Sequence, residues 1–243
     1  HPRAVSLMIR ERLVEQFSNG VVAAAGLLAH GRGEAFDYLI GEKTSPNALK
    51  AIEAAAALLL TAKHPVISVN GNAAALAAKD IVKLDRQVNA KIEVNLFHRS
   101  FDRERAIENL LRTAGASQVL GVGEASSATI PEIASERSRV DPKGILIADV
   151  VLVPLEDGDR TEALVKLGKK VIAIDLNPLS RTAKFASVTI VDNVVRAMPS
   201  LTRMVEKLRA EDKRKLRRLV DRFDNGQSLS DAIRMIEERL EDL

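Results

Sequence analysis

Val150-Val151-Leu152-Val153 is a run of four adjacent apolar residues, three of them β-branched, with no polar alternation. A strand of this kind is buried on both faces, which happens where helices cover both sides of a parallel sheet. Parallel strands need crossover connections, usually helices, so the rest of the chain must supply more strands and helices in alternation. It does. Val66-Ile67-Ser68-Val69 reads as another buried strand, Lys91 to Leu96 as an alternating one and Gln118 to Val122 as a short one. Lys170 to Ile174 and Val188 to Val191 complete the set. Amphipathic helices are predicted over Arg103 to Thr113 and Thr161 to Leu167. The expected fold is therefore α/β: a Rossmann-like, mainly parallel sheet flanked by helices.

Helical elements are predicted at both ends. Val5, Met8, Ile9, Leu13 and Phe17 recur at helical spacing across Pro2 to Phe17. Val21 to Leu28 is apolar and reads as a helix leading into a glycine-rich loop. Ala48 to Ala62 is alanine-rich, a strong helix preference, with Ser45-Pro46 as its start signal. Helices over Val194 to Leu208, Asp212 to Phe223 and Ser228 to Leu240 end the chain, with Asn225-Gly226 read as the break between the last two. Gly123 to Gly144 is polar and irregular, and reads as a long loop. The organisation expected is a single domain, with a helical N-terminal part over 1–62, a sheet core over 63–193 and C-terminal helices over 194–243.

Composition narrows the function classes. With no cysteine, disulfides, thiolate nucleophiles and cysteine zinc sites are excluded. Aromatics make up 3%, so alanine and the aliphatics must fill the core. A formal charge of +3 and a pI near 9.2 are mildly basic. That balance suits anionic small molecules and falls short of a dedicated nucleic-acid binder. The basic stretch Lys213 to Arg218 has no interleaved aromatics for stacking, and reads as a solvated helix face. The longest apolar runs, Val21 to Ala29 and Ala54 to Leu60, are too short to span a bilayer. A cytoplasmic protein with no nucleic-acid or membrane partner is expected. The chain opens on His1-Pro2 without Met, and is expected to begin a few residues past the natural start.

Ligands of open parallel sheets bind beyond the carboxyl ends of the strands, so the residues that follow each strand are the candidates. After Val153 come Glu156, Asp157, Asp159 and Arg160. One or two of these acids can cap the next helix. Three acids and an Arg also suit a Mg²⁺-nucleotide, in which oxygen ligands hold a hard cation. After Ile174 come Asp175, Leu176 and Asn177, then Ser180, Arg181 and Thr182. An acid in that position can bond ribose hydroxyls, and Arg181 at a helix start can meet phosphate. Asp192-Asn193-Val194 and Asn70-Gly71-Asn72 follow two further strands and serve equally as turns or as amide donors to a ligand. His98-Arg99 lies on the same edge. The stretch Ala29 to Glu42 packs His30, Arg32 and several acids among three glycines, an unusual density of ionisable groups for a purely structural loop. Gly121-Val122-Gly123 is half of a dinucleotide fingerprint, so a dinucleotide-dependent oxidoreductase is the alternative reading. Three carboxylates near a pyrophosphate would repel it without an intervening cation, which favours a Mg²⁺-nucleotide over NAD. No motif for a protein nucleophile occurs.

These pieces, in this order, closely resemble the archaeal 4-phosphopantoate–β-alanine ligases, or phosphopantothenate synthetases. The likeness is carried by the glycine-rich stretch, His64 to Asn72, Glu156 to Leu164 and Asp175 to Arg181, and it runs from the first helix to Asp224-Asn225-Gly226. At Ser135-Glu136-Arg137 the chain departs from the family, which has a His before the Glu-Arg. The resemblance implies a homodimeric enzyme of coenzyme A biosynthesis that joins 4-phosphopantoate to β-alanine and converts ATP to AMP and diphosphate. It also implies ATP contacts from Arg10, Arg32, Asp175, Leu176, Asn177, Arg181, Thr182, Asn193 and Val194. On that basis an acyl-adenylate route is expected. Arg32, Arg181 and Mg²⁺ would neutralise phosphate, with Asp157 or Asp159 reaching the metal. His30 with Asn70 or Asn72 would hold the phosphopantoate, and Arg160 a substrate carboxylate.

Overall fold

The computed structural model describes residues 3–155 and 158–241. Five parallel strands form the central sheet: β1 (Pro65–Val69), β2 (Lys91–Val94), β5 (Val150–Val153), β6 (Lys170–Ile174) and β7 (Val188–Ile190), in the order β2-β1-β5-β6-β7. A second, two-stranded antiparallel ladder joins β3 (Ala128–Thr129) to β4 (Arg139–Val140). The mainly parallel α/β architecture matches the expectation.

Both faces of the sheet are covered, which accounts for the continuous apolar runs. Along β5, Val150 and Leu152 enter one hydrophobic cluster while Val151 and Val153 enter the other. Along β6, Ile172 and Ile174 face the first cluster and Val171 and Ala173 the second. Side chains of successive strand residues point to opposite faces, so each face receives its own apolar set. The larger cluster packs the sheet against α3 (Pro46–Thr61), α4 (Gly71–Val88) and α8 (Val194–Leu208). Their alanines, Ala54 to Ala57 and Ala73 to Ala78, are buried and let the helices approach closely without aromatic bulk. Ser45 caps α3 by accepting from the Ala48 N–H at 3.0 Å, with Pro46 in the first turn. The second face is covered by α6 (Gly158–Lys166) and the segment that carries the small ladder.

Four expectations are corrected. The stretch read as a glycine-rich loop continues α2 (Ala24–Ile40) and ends at its left-handed C-cap, Gly41. Glycine in a helix costs about 1 kcal/mol relative to alanine; Gly31 and Gly33 have room for a Cβ, whereas Gly26, in the preceding turn, does not. A Cβ at Gly26 would sit 2.3 Å from Asn72 Oδ1. Helix α4 begins at the Asn70-Gly71-Asn72 turn, because Asn70 is its N-cap and accepts from the Ala73 N–H at 2.9 Å. Gln118 to Val122 makes one parallel bridge, Glu93 to Leu120, before the chain turns away at Gly121. Asn225-Gly226 is the first turn of α10 (Asn225–Glu241) and not a break. The Asn225 side chain instead secures the sheet edge, accepting from the Thr189 N–H at 2.7 Å and donating to the Ala183 carbonyl at 2.8 Å.

At its N-terminal end the chain forms α1 (Ala4–Ser18), which lies against α2. Helix α9 (Lys213–Asp221) buries Leu216 and leaves its lysines and arginines on the surface, as the charge pattern suggests. Among the described residues no helix is long and apolar enough to cross a membrane.

Candidate active site

From β1 the chain crosses to β2 on one side, whereas β5, β6 and β7 progress to the other. The pair β1/β5 is thus the point where the strand order reverses, and the crevice outside its carboxyl end is where such sheets take ligands. A cleft of about 640 Å³ opens there. Its floor is the strand ends and the first residues of α4, α6 and α8: Asn70, Gly71, Asn72, Leu155, Gly158, Asp175, Asn193 and Val194. The free N–H groups of α4 and α8 give this floor a partial positive charge.

Helix α2 forms one wall. Gly26, Ala29, His30, Gly33 and Phe36 recur at three- and four-residue spacing and line the cleft, with Arg32 beside them. The small residues make that face smooth. Asn72 Nδ2 donates to the Gly26 carbonyl at 2.8 Å, tying the wall to the α4 N-terminus. A buried polar network holds the other end. Asn193 Nδ2 donates to Asp37 Oδ2 at 2.7 Å, and Asp37 also pairs with Arg196. Arg196 pairs in turn with Asp192 at 2.7 Å, and Thr44 donates to Asp192 at 2.6 Å. The Asn193 side chain additionally accepts from the Val195 N–H at 3.2 Å, so it caps α8. Asp175 accepts from the Asn177 N–H at 2.9 Å and from the Ser180 hydroxyl, holding the strand-end loop in shape.

His30 lines both this cleft and a shallower groove between α1 and α2. Its Nε2 is buried with no hydrogen-bond partner, and burial holds the imidazole pKa below its ordinary value. The ring is neutral at pH 7 and offers a ligand one donor and one acceptor.

The opposite side carries cations that sequence reasoning missed. Arg103, on α5 (Phe101–Thr113), donates to the carbonyls of His98 and Val21. Its Nε is buried without a partner, and burial lowers its pKa. Arg137 also lines the cleft, with its guanidinium 5.9 Å from the Phe97 ring centroid. Phe97 and His98 meet edge to face at 5.0 Å. His98 was legible as a strand-end residue. Arg103 follows no strand directly and no local pattern marks it, and Arg137 entered only within Ser135-Glu136-Arg137, without a role.

Of the residues singled out from the sequence, His30, Arg32, Asn70, Asn72, Asp175, Leu176, Asn177, Asn193 and Val194 border this one cleft. Five others do not line it. Arg10 lies on α1 in the shallower groove, paired with Glu34 at 2.7 Å. Arg160 is 2% exposed and donates to Ser68 Oγ and to Asn95 Oδ1 beneath the strand ends, so it is not a contact for a substrate carboxylate. Thr182 is fully buried in α7 (Arg181–Phe185). Asp159 and Arg181 are exposed and paired with each other at 2.6 Å. Asp157 lies outside the described residues. Among the described residues no group of three or more His, Cys, Asp or Glu side chains could hold a metal ion, and Asp159 is paired with Arg181.

The sheet and its switch-point cleft, bordered by helix N-termini and arginines, define a doubly wound α/β protein built to take an anionic ligand. A model of the phosphopantothenate/pantothenate synthetase family matches residues 47–239, and the chain belongs to that family. It is 52% identical over 241 residues to a 4-phosphopantoate–β-alanine ligase of Thermococcus onnurineus, covering 99% of this chain and 92% of that protein. It is 50% identical over 240 residues to the enzyme of the same name from Methanosarcina mazei, covering 99% and 94%. The Methanospirillum hungatei enzyme of that name is 51% identical over 240 residues, covering 99% and 96%. These likenesses agree with the family resemblance and give no support to the dinucleotide oxidoreductase alternative.

Proposed function

We propose that this chain is an ATP-dependent ligase that joins 4-phosphopantoate to β-alanine and releases AMP and diphosphate. The observation that carries the proposal is the single cleft at the sheet switch point, in a chain half identical to ligases of that name. Both the nucleotide and the phosphorylated acid are anionic, and the cleft answers with two helix N-termini, Arg32, Arg103 and Arg137.

In this reading the acid's carboxylate attacks the α-phosphorus of ATP and diphosphate leaves. The amine of β-alanine then attacks the acyl carbon and AMP leaves. No protein side chain becomes covalently attached. The protein acts by holding the reactants in line and by neutralising charge as it develops. Asp175 and Asn177 bond the ribose, with Leu176 and Val194 against the apolar parts of the nucleoside. Asn193 acts chiefly through its ties to Asp37 and the α8 N-terminus, which shape the nucleotide end of the cleft. Neutral His30, with Asn70 and Asn72, contacts the phosphorylated acid. Arg181 reaches the phosphates by exchanging its solvent-exposed pairs with Asp159 and Glu162. Mg²⁺ would neutralise phosphate charge there, with Asp157 or Asp159 the residues that would reach it.

A homodimer is in keeping with the exposed apolar side chains of α1 and α2, among them Val5, Met8, Val14 and Leu28. A cytoplasmic location goes with a reaction that consumes ATP. The test is product identification. ATP, Mg²⁺, 4-phosphopantoate and β-alanine should yield AMP and diphosphate, and acid labelled with ¹⁸O in its carboxylate should pass label to AMP. ADP as the product would refute the adenylate route. Unphosphorylated pantoate should react poorly.

A further inference from the structure

Asn95 follows β2, and its N–H still bonds the Val69 carbonyl at 2.9 Å. Its side chain is fully buried and joins three parts of the molecule. Oδ1 accepts from Arg160 Nη1 at 2.7 Å, while Nδ2 donates to the carbonyls of Arg137 at 3.1 Å and Arg139 at 3.3 Å. The amide has one sensible orientation, because turning it would set NH₂ against a guanidinium and oxygen against two carbonyls. Arg160 reaches in from α6 and also donates to Ser68 on β1 at 2.5 Å. The far end of this chain of bonds is Arg137, whose guanidinium lies over Phe97, two residues beyond Asn95.

Regular structure does little to set Arg137. Between residues 123 and 148 the elements are two three-residue 3₁₀ turns and two two-residue strands. Side chains from beyond the segment supply part of the hold: Asn95 bonds the Arg137 and Arg139 carbonyls, and Arg99 also donates to the Arg139 carbonyl at 3.1 Å. A buried Arg and Asn at this point are costly to desolvate, and apolar residues of similar volume would give comparable stability. What apolar residues cannot do is grip the Arg137 carbonyl from the sheet.

We propose that Asn95 and Arg160 are positioning residues for Arg137, a strut that sets its guanidinium on the cleft wall where it meets the anionic group of the bound acid. The identity of that acid rests on the ligase reading. The strut itself does not.

Asn95→Asp keeps the size and the acceptor for Arg160 but turns an oxygen onto two carbonyls. It should lower kcat/KM for 4-phosphopantoate by roughly 10- to 100-fold, as expected for a misplaced contact, with KM for ATP changed less than about twofold. In an Arg137→Ala background the same substitution should add less than about twofold. Full multiplication of the two losses would overturn the proposal, as would an equal rise in both KM values. Phe97→Leu probes the same guanidinium from its other side. Phe97 is 54% exposed, so its replacement leaves the core intact. It should lower the same parameter and again add nothing to Arg137→Ala. Arg160→Lys, which keeps a donor for Asn95, should retain more activity than Arg160→Met. A crystal structure of the Asn95→Asp or Arg160→Met protein separates the strut from the ligase reading. Arg137 displaced from Phe97 supports the strut even if the wild-type protein ligates nothing, and Arg137 unmoved refutes it even if the ligase is active.

Discussion

Glu93 should make the protein less stable as pH rises through the neutral range. Its carboxylate is buried at the β2 edge and accepts the Asp141 N–H at 3.0 Å and the Ile145 N–H at 2.6 Å. Burial raises its pKa from 4.5 to about 7, outweighing those two bonds and the nearby charge of Arg160. The native state therefore holds a proton between those two values that the unfolded chain has released. Stability falls wherever the native state binds more protons. The stabilisation is fully present below pH 4.5 and is lost as pH climbs through about 7. A difference of 2.5 pKa units corresponds to about 3 kcal/mol at 1.36 kcal/mol per unit. Urea unfolding of the wild-type and Glu93→Gln proteins at pH 5 and pH 8 isolates the effect. The wild type should lose about 2.5 kcal/mol more than the variant between the two pH values, since pH 5 already lies above 4.5. Equal losses would show that Glu93 ionises in the native state as an ordinary carboxyl does.

Arg32→Ala should cost on the order of 10²-fold in turnover, comparable to losing one donor to a developing anion, and near-normal kcat would remove Arg32 from the mechanism. Because the His30 pKa lies below the ordinary imidazole value, kcat/KM should be flat through neutral pH and fall only under acid conditions, below about 6.5; a His30→Asn protein should lose that acid limb in a pH–rate profile. A Cβ at Gly71 would sit 2.2 Å from the Val21 carbonyl, a backbone atom that cannot swing aside, so Gly71→Ala should destabilise by about 1–3 kcal/mol in denaturant unfolding. Asp159→Asn removes an exposed pair with Arg181, which keeps its pair with Glu162, and should leave the melting temperature nearly unchanged; a large drop would mean that the pair is structural.

The strands were legible because burial on both faces leaves continuous apolar runs, as in Val150 to Val153. Helix α8 was legible to the residue, since its apolar face repeats strongly and Asn193 caps it. The second half of α2 was hidden because Gly31 and Gly33 look like loop residues, although its start, within Val21 to Leu28, read as helix. Helix α4 was hidden because Asn70-Gly71-Asn72 resembles a turn, although its alanines favour helix as those of α3 do. Reading along strand ends led to Asp175, Asn177, Asn193 and Asn70, which all border the cleft. It led equally to Arg160, which supports the cleft from below, and it passed over Arg103 and Arg137.

Local periodicity thus determined the layers, the strand positions and which loops lie at the carboxyl edge, because those follow from neighbours within a few residues. Whether a given charge faces the cleft or another charge was decided only by the folded chain. Asp37 meets Asn193 across 156 residues and Arg160 meets Asn95 across 65. Such pairings depend on the distance left between side chains after the helices have packed, and no spacing in the sequence encodes that distance.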